Sequence, residues 1–287
     1  MKASDLKIIR HSPELTEIRI PYGHSDTREF LLASDIHLDN PHCQRDLLKK
    51  HLKQAQGRGA HALMFGDVLC MMQGKHDRRG SKGSIRPEHL GGNYFDLVIK
   101  ECTDWLAPFA KTIVMISDGN HETAIINHNE INPLANLTER LREKHNSQVE
   151  HMSYQGWIWF TFHRHNDNAK VRRSTLFFHH GAWGGIISKG VMGGGRYASI
   201  APDADVIVNG HNHERTIVSH PCYRISQSGK QRINQRWHLQ TGTYKEEFGS
   251  GGGWAVEKIV MPKSLGGLWL KLKPTNDGVE ISVEPAV

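Results

Sequence analysis

Five apolar segments of this 287-residue chain each end in a short cluster of aspartate, asparagine or histidine. The segments and the clusters that follow them are FLLA with SDIHLDN, ALMF with GDV, TIVMIS with DGNHE, STLFF with HHG, and VIVN with GHNH. Carboxylate, amide and imidazole groups are ligands that suit Zn, Mn and Fe. If the fold brings the five clusters together, the sequence predicts a metal site built from oxygen and nitrogen ligands.

Three aspartate and histidine positions could hold and share a pair of ions. Asp67 is the candidate shared ligand, because it stands alone after its apolar segment and follows a glycine that lets backbone approach closely. Asp35 and His37 lie two residues apart in a segment expected to be extended, so their side chains would point to one side and hold one ion. Two ions about 3.5–4 Å apart can clamp a phosphoester for in-line displacement and activate a bridging water as the nucleophile.

The remaining candidates would complete both ligand sets. Asn120 is neutral, and its amide oxygen could ligate the second ion. His211 and His213 flank a single residue just after an apolar run, so one imidazole could go to each ion. The set as a whole predicts phosphoester hydrolysis assisted by two metal ions.

The first half of the chain alternates apolar segments with helical patterns. Strands are predicted at 30–33, 62–65 and 112–116, and helices at 44–56 and 94–110. A further helix is predicted to begin at Asn132-Pro133, where a capping residue precedes proline at the first helical position.

Strands dominate after about residue 148. They are predicted at 157–162, 175–178, 206–208, 216–219, 237–240, 254–259, 268–272 and 279–283. The order of elements therefore predicts an α/β protein with two sheets and a core between them. Because ligands bind at the carboxyl ends of strands in open α/β sheets, the five polar clusters are expected to converge on one site.

The motifs D-x-H, G-D, G-N-H-E, H-G and G-H-x-H, in this order from Asp35 to His213, resemble those of the calcineurin-like metallophosphoesterase superfamily. The resemblance implies a four-layer αββα sandwich of two mixed β-sheets flanked by helices, as a single domain over residues 1–287. It also implies that His121 lies beside the scissile phosphate, where it would stabilise charge or protonate the leaving oxygen. The implied ligands are Asp35, His37, Asp67 and His213 for the first ion, and Asp67, Asn120, His180 and His211 for the second.

Some roles stay open at this point. Many members carry G-D-x-x-D, whose second aspartate orients the histidine of G-N-H, but Cys70 occupies that position here, so another group must orient His121 or none does. His179 and His180 are adjacent, and His180 is favoured as the ligand because it directly precedes glycine. Asp118 could assist His121, although a turn aspartate before glycine is favoured.

Two further features could support the site. Asp39 and Asn40 could assist the metal ligands or form a turn with the following proline. The glycine-rich stretch 181–195 is predicted to be a long loop that, with the residues after it, could move as a lid. Within it and just beyond, Trp183 and Arg196 are candidate substrate-binding residues.

The substrate is inferred from charge. The net charge is +6, and the segments 75–86, 163–173 and 223–236 are basic, which favours DNA or RNA as the phosphoester partner. The alternatives are a small-nucleotide or cyclic-nucleotide phosphodiesterase and a protein or small-molecule phosphatase. A hypothesis of another class is a metal-free binding module that has kept the fold. Two divalent ions are the expected cofactor, with Mn²⁺ favoured over Zn²⁺ or Fe.

The location is inferred from what the sequence lacks. The N-terminus has no apolar signal region, and no segment approaches the roughly 20 apolar residues of a transmembrane helix. The four cysteines form no CxxC pair, which suits a reducing compartment. We therefore expect a cytoplasmic protein without a membrane partner.

Overall fold

The computed structural model describes residues 6–23, 26–73, 80, 83, 85–164, 167–182, 193–225, 229–248 and 261–287, with the backbone alone at 167–170. The strands are β1 Lys7–Ser12, β2 Leu15–Tyr22, β3 Arg28–Ala33, β4 His61–Phe65, β5 Ile113–Ser117, β6 Glu150–Met152, β7 Gln155–Arg164, β8 Asp167–His179, β9 Val206–Asn209, β10 Arg215–Ile225, β11 Gln231–Thr241, β12 Leu268–Pro274 and β13 Val279–Pro285. The helices are α1 Arg45–Arg58, α2 Tyr94–Leu106, α3 Asn120–Asn129, α4 Pro133–His145 and α5 Gly194–Ile200.

The strands form two mixed sheets. The six-stranded sheet has the order β13-β12-β3-β4-β5-β6, in which β3 to β6 are parallel. The seven-stranded sheet has the order β1-β2-β7-β8-β9-β11-β10, in which β8, β9 and β11 are parallel. Because parallel neighbours end at the same edge of a sheet, the residues after β3, β4 and β5 lie together, as do those after β8 and β9.

Three apolar clusters show how the layers pack. One cluster lies between the sheets and includes Leu63 and Phe160, and a second joins α1, α2 and α4 to the outer face of the six-stranded sheet. On the outer face of the seven-stranded sheet, Tyr197 of α5 packs against Phe177 and Ile207. The layers therefore run helix, sheet, sheet, helix, as predicted, and among the described residues α5 is the only helix of the fourth layer.

Local sequence explains the elements nearest the site. All five residues of β4 are buried, as expected for a parallel strand covered by helices on one face and by the second sheet on the other. α4 begins where predicted, because the Asn132 side chain accepts a hydrogen bond from the Ala135 N–H at 2.9 Å and Pro133 follows the cap. α1 ends at Gly59, whose φ of 64° is the left-handed conformation that glycine adopts readily.

The structure also contains elements that the sequence patterns do not predict. These are β1, β2, β6, α3 and α5. The prediction of a loop up to residue 195 is wrong at its end, because α5 begins at Gly194 and its apolar residues pack on the sheet. The strand predicted at 254–259 lies outside the described residues. In the ranges that the structure describes, no helix has the length and apolar character needed to cross a membrane.

Candidate metal centre

The five polar clusters meet where the two sheets adjoin, at the carboxyl ends of β3, β4, β5, β8 and β9. Backbone hydrogen bonds connect them within each sheet: the Asp35 N–H donates to the Gly66 carbonyl at 3.1 Å, and the Gly210 N–H donates to the His180 carbonyl at 2.7 Å. Between the sheets, the His211 N–H donates to the Asp35 carboxylate at 2.9 Å. The convergence predicted from the strand ends is therefore present in the structure.

Asp35, His37 and His213 form the first ligand group, with one potential ligand atom of each lying within 4.8 Å of the others. The Asp35 Oδ1 atom is 3.4 Å from His213 Nε2. In the part of the chain that the structure describes, Asp35 Oδ1 and both ring nitrogens of His37 are buried without a hydrogen-bond partner. A buried polar atom without a partner costs about 1–3 kcal/mol, so this group suits a cation that would use these lone pairs.

Asp67, His180 and His211 form the second ligand group, again within 4.8 Å of one another. The His180 Nδ1–H donates to the Phe65 carbonyl at 2.9 Å, which leaves Nε2 with its lone pair. That nitrogen lies 3.3 Å from Asp67 Oδ2 and 3.1 Å from Asn120 Oδ1. Asn120 Oδ1 is also 2.8 Å from His211 Nδ1. Two oxygens and two nitrogens thus converge, as a second cation would require.

Asp67 is a buried member of the second group and lies close to the first group. Its Oδ2 atom lies 3.3 Å from His180 Nε2, and the same nitrogen is 4.0 Å from Asp35 Oδ1 in the first group. Burial alone would raise the pKa of Asp67, but His180 and His121 hold it well below its usual range. An ionised carboxylate in this position fits the predicted shared ligand, although its contact with two ions stays a prediction.

The backbone of the ligand residues is unusual. Five of the eight non-glycine residues with positive φ in the described ranges are predicted ligands: Asp35 (51°), His37 (49°), Asp67 (50°), His211 (70°) and His213 (57°). The expectation of an extended Asp35–His37 segment is therefore wrong, because both residues adopt the left-handed conformation. Such conformations cost about 1–3 kcal/mol each and persist where the surroundings enforce them, typically at functional sites.

Gly119 permits the close approach of the loops after β4 and β5. A Cβ atom on Gly119 would overlap the carboxylate and the N–H of Asp67. Any other residue at this position would push Asp67 away from His180, so the glycine is needed for the geometry of the second ligand group.

Glu122 holds the Asp67 loop in place. Its buried carboxylate accepts N–H groups from Asp67 at 3.1 Å, Leu69 at 2.8 Å and Gly119 at 2.8 Å. Burial, and then the charge of Asp67, raises the pKa of Glu122 to about 8. No role for Glu122 is predicted from the motif DGNHE, although a glutamate three residues after a helix cap is a known signal for such a contact.

Asp39 supports the next part of the same loop. Its carboxylate accepts the N–H groups of Cys70 at 2.5 Å and Met71 at 2.8 Å. Asn40 forms the turn, because its Oδ1 accepts the His42 N–H at 2.9 Å, and its Nδ2 also donates to Cys70 Sγ at 3.4 Å. The D-x-H loop therefore also positions the G-D loop.

The structure identifies the group that orients His121. The His121 Nδ1–H donates to the backbone carbonyl of Cys70 at 2.7 Å, so Nε2 keeps its lone pair, 3.8 Å from Asp67 Oδ2. A carbonyl thus takes the place of the carboxylate that the resemblance leads us to expect. Asp118 does not assist His121 in any contact of the described residues; it lies 2.8 Å from His151 Nε2 instead.

The other candidates fall outside the two ligand groups. The His179 Nδ1 accepts the Gly181 N–H at 3.0 Å and its ring lies beside Tyr197, so of the adjacent pair it is His180 that faces Asp67. Arg196 is exposed on α5. Trp183 lies outside the described residues, and substrate contact by either residue stays a prediction.

Comparisons with known proteins add a likeness of fold. Scans against protein-family models and curated proteins found no match. Vacuolar protein sorting 29 from Cryptosporidium parvum is 13% identical, with a TM-score of 0.40 over 90% of this chain and 97% of that chain. A predicted phosphoesterase from Streptococcus pneumoniae is 10% identical, with a TM-score of 0.34 over 91% of each chain. Zn²⁺-complexed Vps29 from Entamoeba histolytica is 11% identical, with a TM-score of 0.35 over 90% and 99%.

Proposed function

We propose that this protein is a dinuclear metal-dependent phosphoesterase of the calcineurin-like type. The observation that carries the proposal is the buried, unpartnered set of lone pairs on Asp35 and His37, in a site that also contains Asp67, His180 and His211. Each of these groups costs free energy when nothing binds it, and a cation in the Asp35 group would satisfy both Asp35 Oδ1 and one nitrogen of His37. Their chemistry fits two divalent cations of the Mn²⁺, Fe or Zn²⁺ kind.

Each side chain has a task in hydrolysis. Two bound cations would supply Lewis acidity and a nucleophilic water for displacement at phosphorus. Asp67 would lie between them, and its N–H contacts with Glu122 keep the carboxylate in place. His121, whose Nδ1–H is fixed by the Cys70 carbonyl, would act once it has taken up a proton on Nε2: that N–H would stabilise the scissile phosphate or pass its proton to the leaving oxygen.

The proposed substrate is a nucleic acid. The support is the net charge of +6 and its concentration in three segments of the sequence, since basic clusters attract phosphate-bearing partners. Small nucleotides and cyclic nucleotides form the second substrate class, because the chemistry at phosphorus is the same for all phosphodiesters.

The test begins with the metal. Protein purified without chelator and then loaded with Mn²⁺ should hold two ions per chain and hydrolyse bis-p-nitrophenyl phosphate. A chain that binds no Mn, Zn or Fe and gives no turnover would contradict the proposal and favour a metal-free binding module. Single-stranded DNA, duplex DNA, RNA and cyclic nucleotides are then compared over a range of salt concentrations. Steep loss of activity with salt supports nucleic acid, whereas flat salt dependence with turnover of small diesters supports the second class.

A further inference from the structure

A third group of candidate ligands lies beside the two that the proposed phosphoesterase would use. His37, Cys70 and His121 each offer one ligand atom, and these atoms lie within 4.8 Å of one another. The group contains a sulfur and two imidazole nitrogens, and no carboxylate. Thiolate and imidazole ligands select Zn²⁺ and similar soft ions, whereas Mn²⁺ prefers carboxylate oxygens.

His37 is free to serve this group as well as the first one. It is 1% exposed, and neither of its ring nitrogens has a hydrogen-bond partner among the described residues. A ligating imidazole ordinarily donates its other N–H to a fixed acceptor, which decides the direction in which the ring coordinates. Since no such acceptor holds His37, its ring is not committed to Asp35 and His213.

The other two members are already oriented. The Cys70 carbonyl accepts the Nδ1–H of His121 at 2.7 Å, so Nε2 is the nitrogen that carries the lone pair. The Cys70 sulfur is buried and accepts the Asn40 Nδ2–H at 3.4 Å, a contact that would stabilise a thiolate. The residue that replaces the expected aspartate therefore both fixes His121 and offers a soft ligand next to it.

Binding here exchanges a proton for a metal ion. Burial raises the pKa of the Cys70 thiol to about 12, so the thiol is protonated at neutral pH before an ion enters. A sulfur–metal bond forms as the S–H bond breaks, and the proton leaves to solvent without any change of oxidation state.

We propose that His37, Cys70 and His121 bind one thiophilic divalent cation of the Zn²⁺ or Cd²⁺ kind, in competition with the ion of the Asp35 group. Occupation removes His37 from that group and removes Nε2 of His121 from the substrate. Excess Zn²⁺ therefore switches hydrolysis off. This last consequence rests on the proposed function, whereas the binding does not.

The binding test uses the full-length chain, stripped of metal and titrated with Co²⁺, whose thiolate complexes have a charge-transfer absorption band. We expect the band in the wild type and in Cys43→Ser, and its loss in Cys70→Ser. Cys43 is the matched control, because its thiol is also buried with a pKa raised to about 12 and it belongs to none of the ligand groups among the described residues. A wild type without the band, or a band that survives in Cys70→Ser, overturns the proposal.

A second measurement covers the case in which Cys70→Ser does not fold. X-ray absorption at the Zn edge of the Zn²⁺-loaded wild type should show a sulfur neighbour at about 2.3 Å. A shell of nitrogen and oxygen alone overturns the proposal without any variant.

The inhibition test separates this proposal from the proposed function. Hydrolysis of bis-p-nitrophenyl phosphate by Mn²⁺-loaded protein is measured as Zn²⁺ is added. The wild type should be inhibited at Zn²⁺ concentrations at least about 10-fold lower than those needed to inhibit Cys70→Ser. This is the effect expected when one partner of a metal site is lost. Equal inhibition of both contradicts the switch. If the wild type shows no turnover with any metal, the proposed function fails, while the Co²⁺ band still decides whether the third group binds an ion.

Discussion

The two ligand groups are equally buried but are held differently by the rest of the protein. In the Asp67 group, His180 donates its Nδ1–H to the Phe65 carbonyl at 2.9 Å, which fixes the ring with Nε2 towards Asp67. In the Asp35 group, His37 has no partner on either nitrogen within the described ranges. Asp35 and Asp67 are 0% and 2% exposed, so hydrogen bonding, and not access to solvent, makes the difference.

This difference indicates how firmly each group holds an ion. Fixed partners of a ligating imidazole typically contribute about 10- to 100-fold in metal affinity. We therefore expect a firmly held ion at the Asp67 group and a readily exchanged ion at the Asp35 group. The Asp35 group, whose ion should exchange readily, also shares His37 with the group that contains Cys70, where the competing ion is proposed to bind.

Asp67→Asn should have the largest effect, because it removes the carboxylate that is predicted to serve both ions. We expect loss of both ions and, with them, loss of all measurable metal-dependent turnover, because the ions would supply both the Lewis acidity and the nucleophilic water. Metal content and hydrolysis of bis-p-nitrophenyl phosphate are measured beside Asp46→Asn, an exposed aspartate on α1. A variant that keeps one ion would show that Asp67 belongs to one group only.

His121→Gln should separate chemistry from metal binding. Since His121 belongs to neither of the two proposed ion sets, the variant should keep both ions and lose about 100- to 10,000-fold in rate, the range for a general acid or base. His128→Gln, exposed on the same helix, is the control and should keep full activity. A metal-free His121→Gln protein would show that His121 is a ligand.

Removal of metal from the wild type should show whether the two ligand groups differ in affinity. Titration of Mn²⁺-loaded protein with a chelator should release the ions in two steps, with affinities that differ by about 10- to 100-fold. His37→Ala should abolish the weaker step and preserve the stronger one, whereas His180→Ala should weaken the stronger one. Release of both ions in one step from the wild type would mean that the hydrogen-bonding difference has no consequence for affinity.

Glu122→Gln should have the smallest effect. Above about pH 8, where Glu122 is ionised, the variant would replace one acceptor oxygen by an NH₂ group that faces an N–H group of the Asp67 loop. We therefore expect a loss of about 1–3 kcal/mol in the free energy of unfolding at that pH. Urea unfolding of this variant is compared with that of Glu139→Gln, an exposed position on α4. Equal stability of the two variants would mean that the three N–H contacts of Glu122 contribute little.

The convergence of the site follows from the sequence, because polar residues at strand ends have a position that sheet topology dictates. The strands that precede Asp35, Asp67 and His211 are short apolar runs with clear limits, and the structure has each of them. The left-handed backbone of the ligands does not follow, since aspartate and histidine adopt it only under the tertiary constraints of a particular fold.

The groups that orient the imidazoles were beyond prediction for a different reason. The carbonyls of Phe65 and Cys70 act through the backbone, and every residue has a carbonyl, so no side-chain pattern marks them. The pairing of Asp118 with His151 depends on the register of β5 with β6, where Ile116 lies opposite His151. Sequence alone does not fix that register for a three-residue strand.

A crystal structure of the Mn²⁺-loaded protein, with data collected for anomalous scattering, would show whether two ions share the Asp67 carboxylate. We expect two manganese peaks about 3.5–4 Å apart, with that carboxylate in contact with both ions. A single peak, or two peaks without a shared carboxylate, would contradict this expectation.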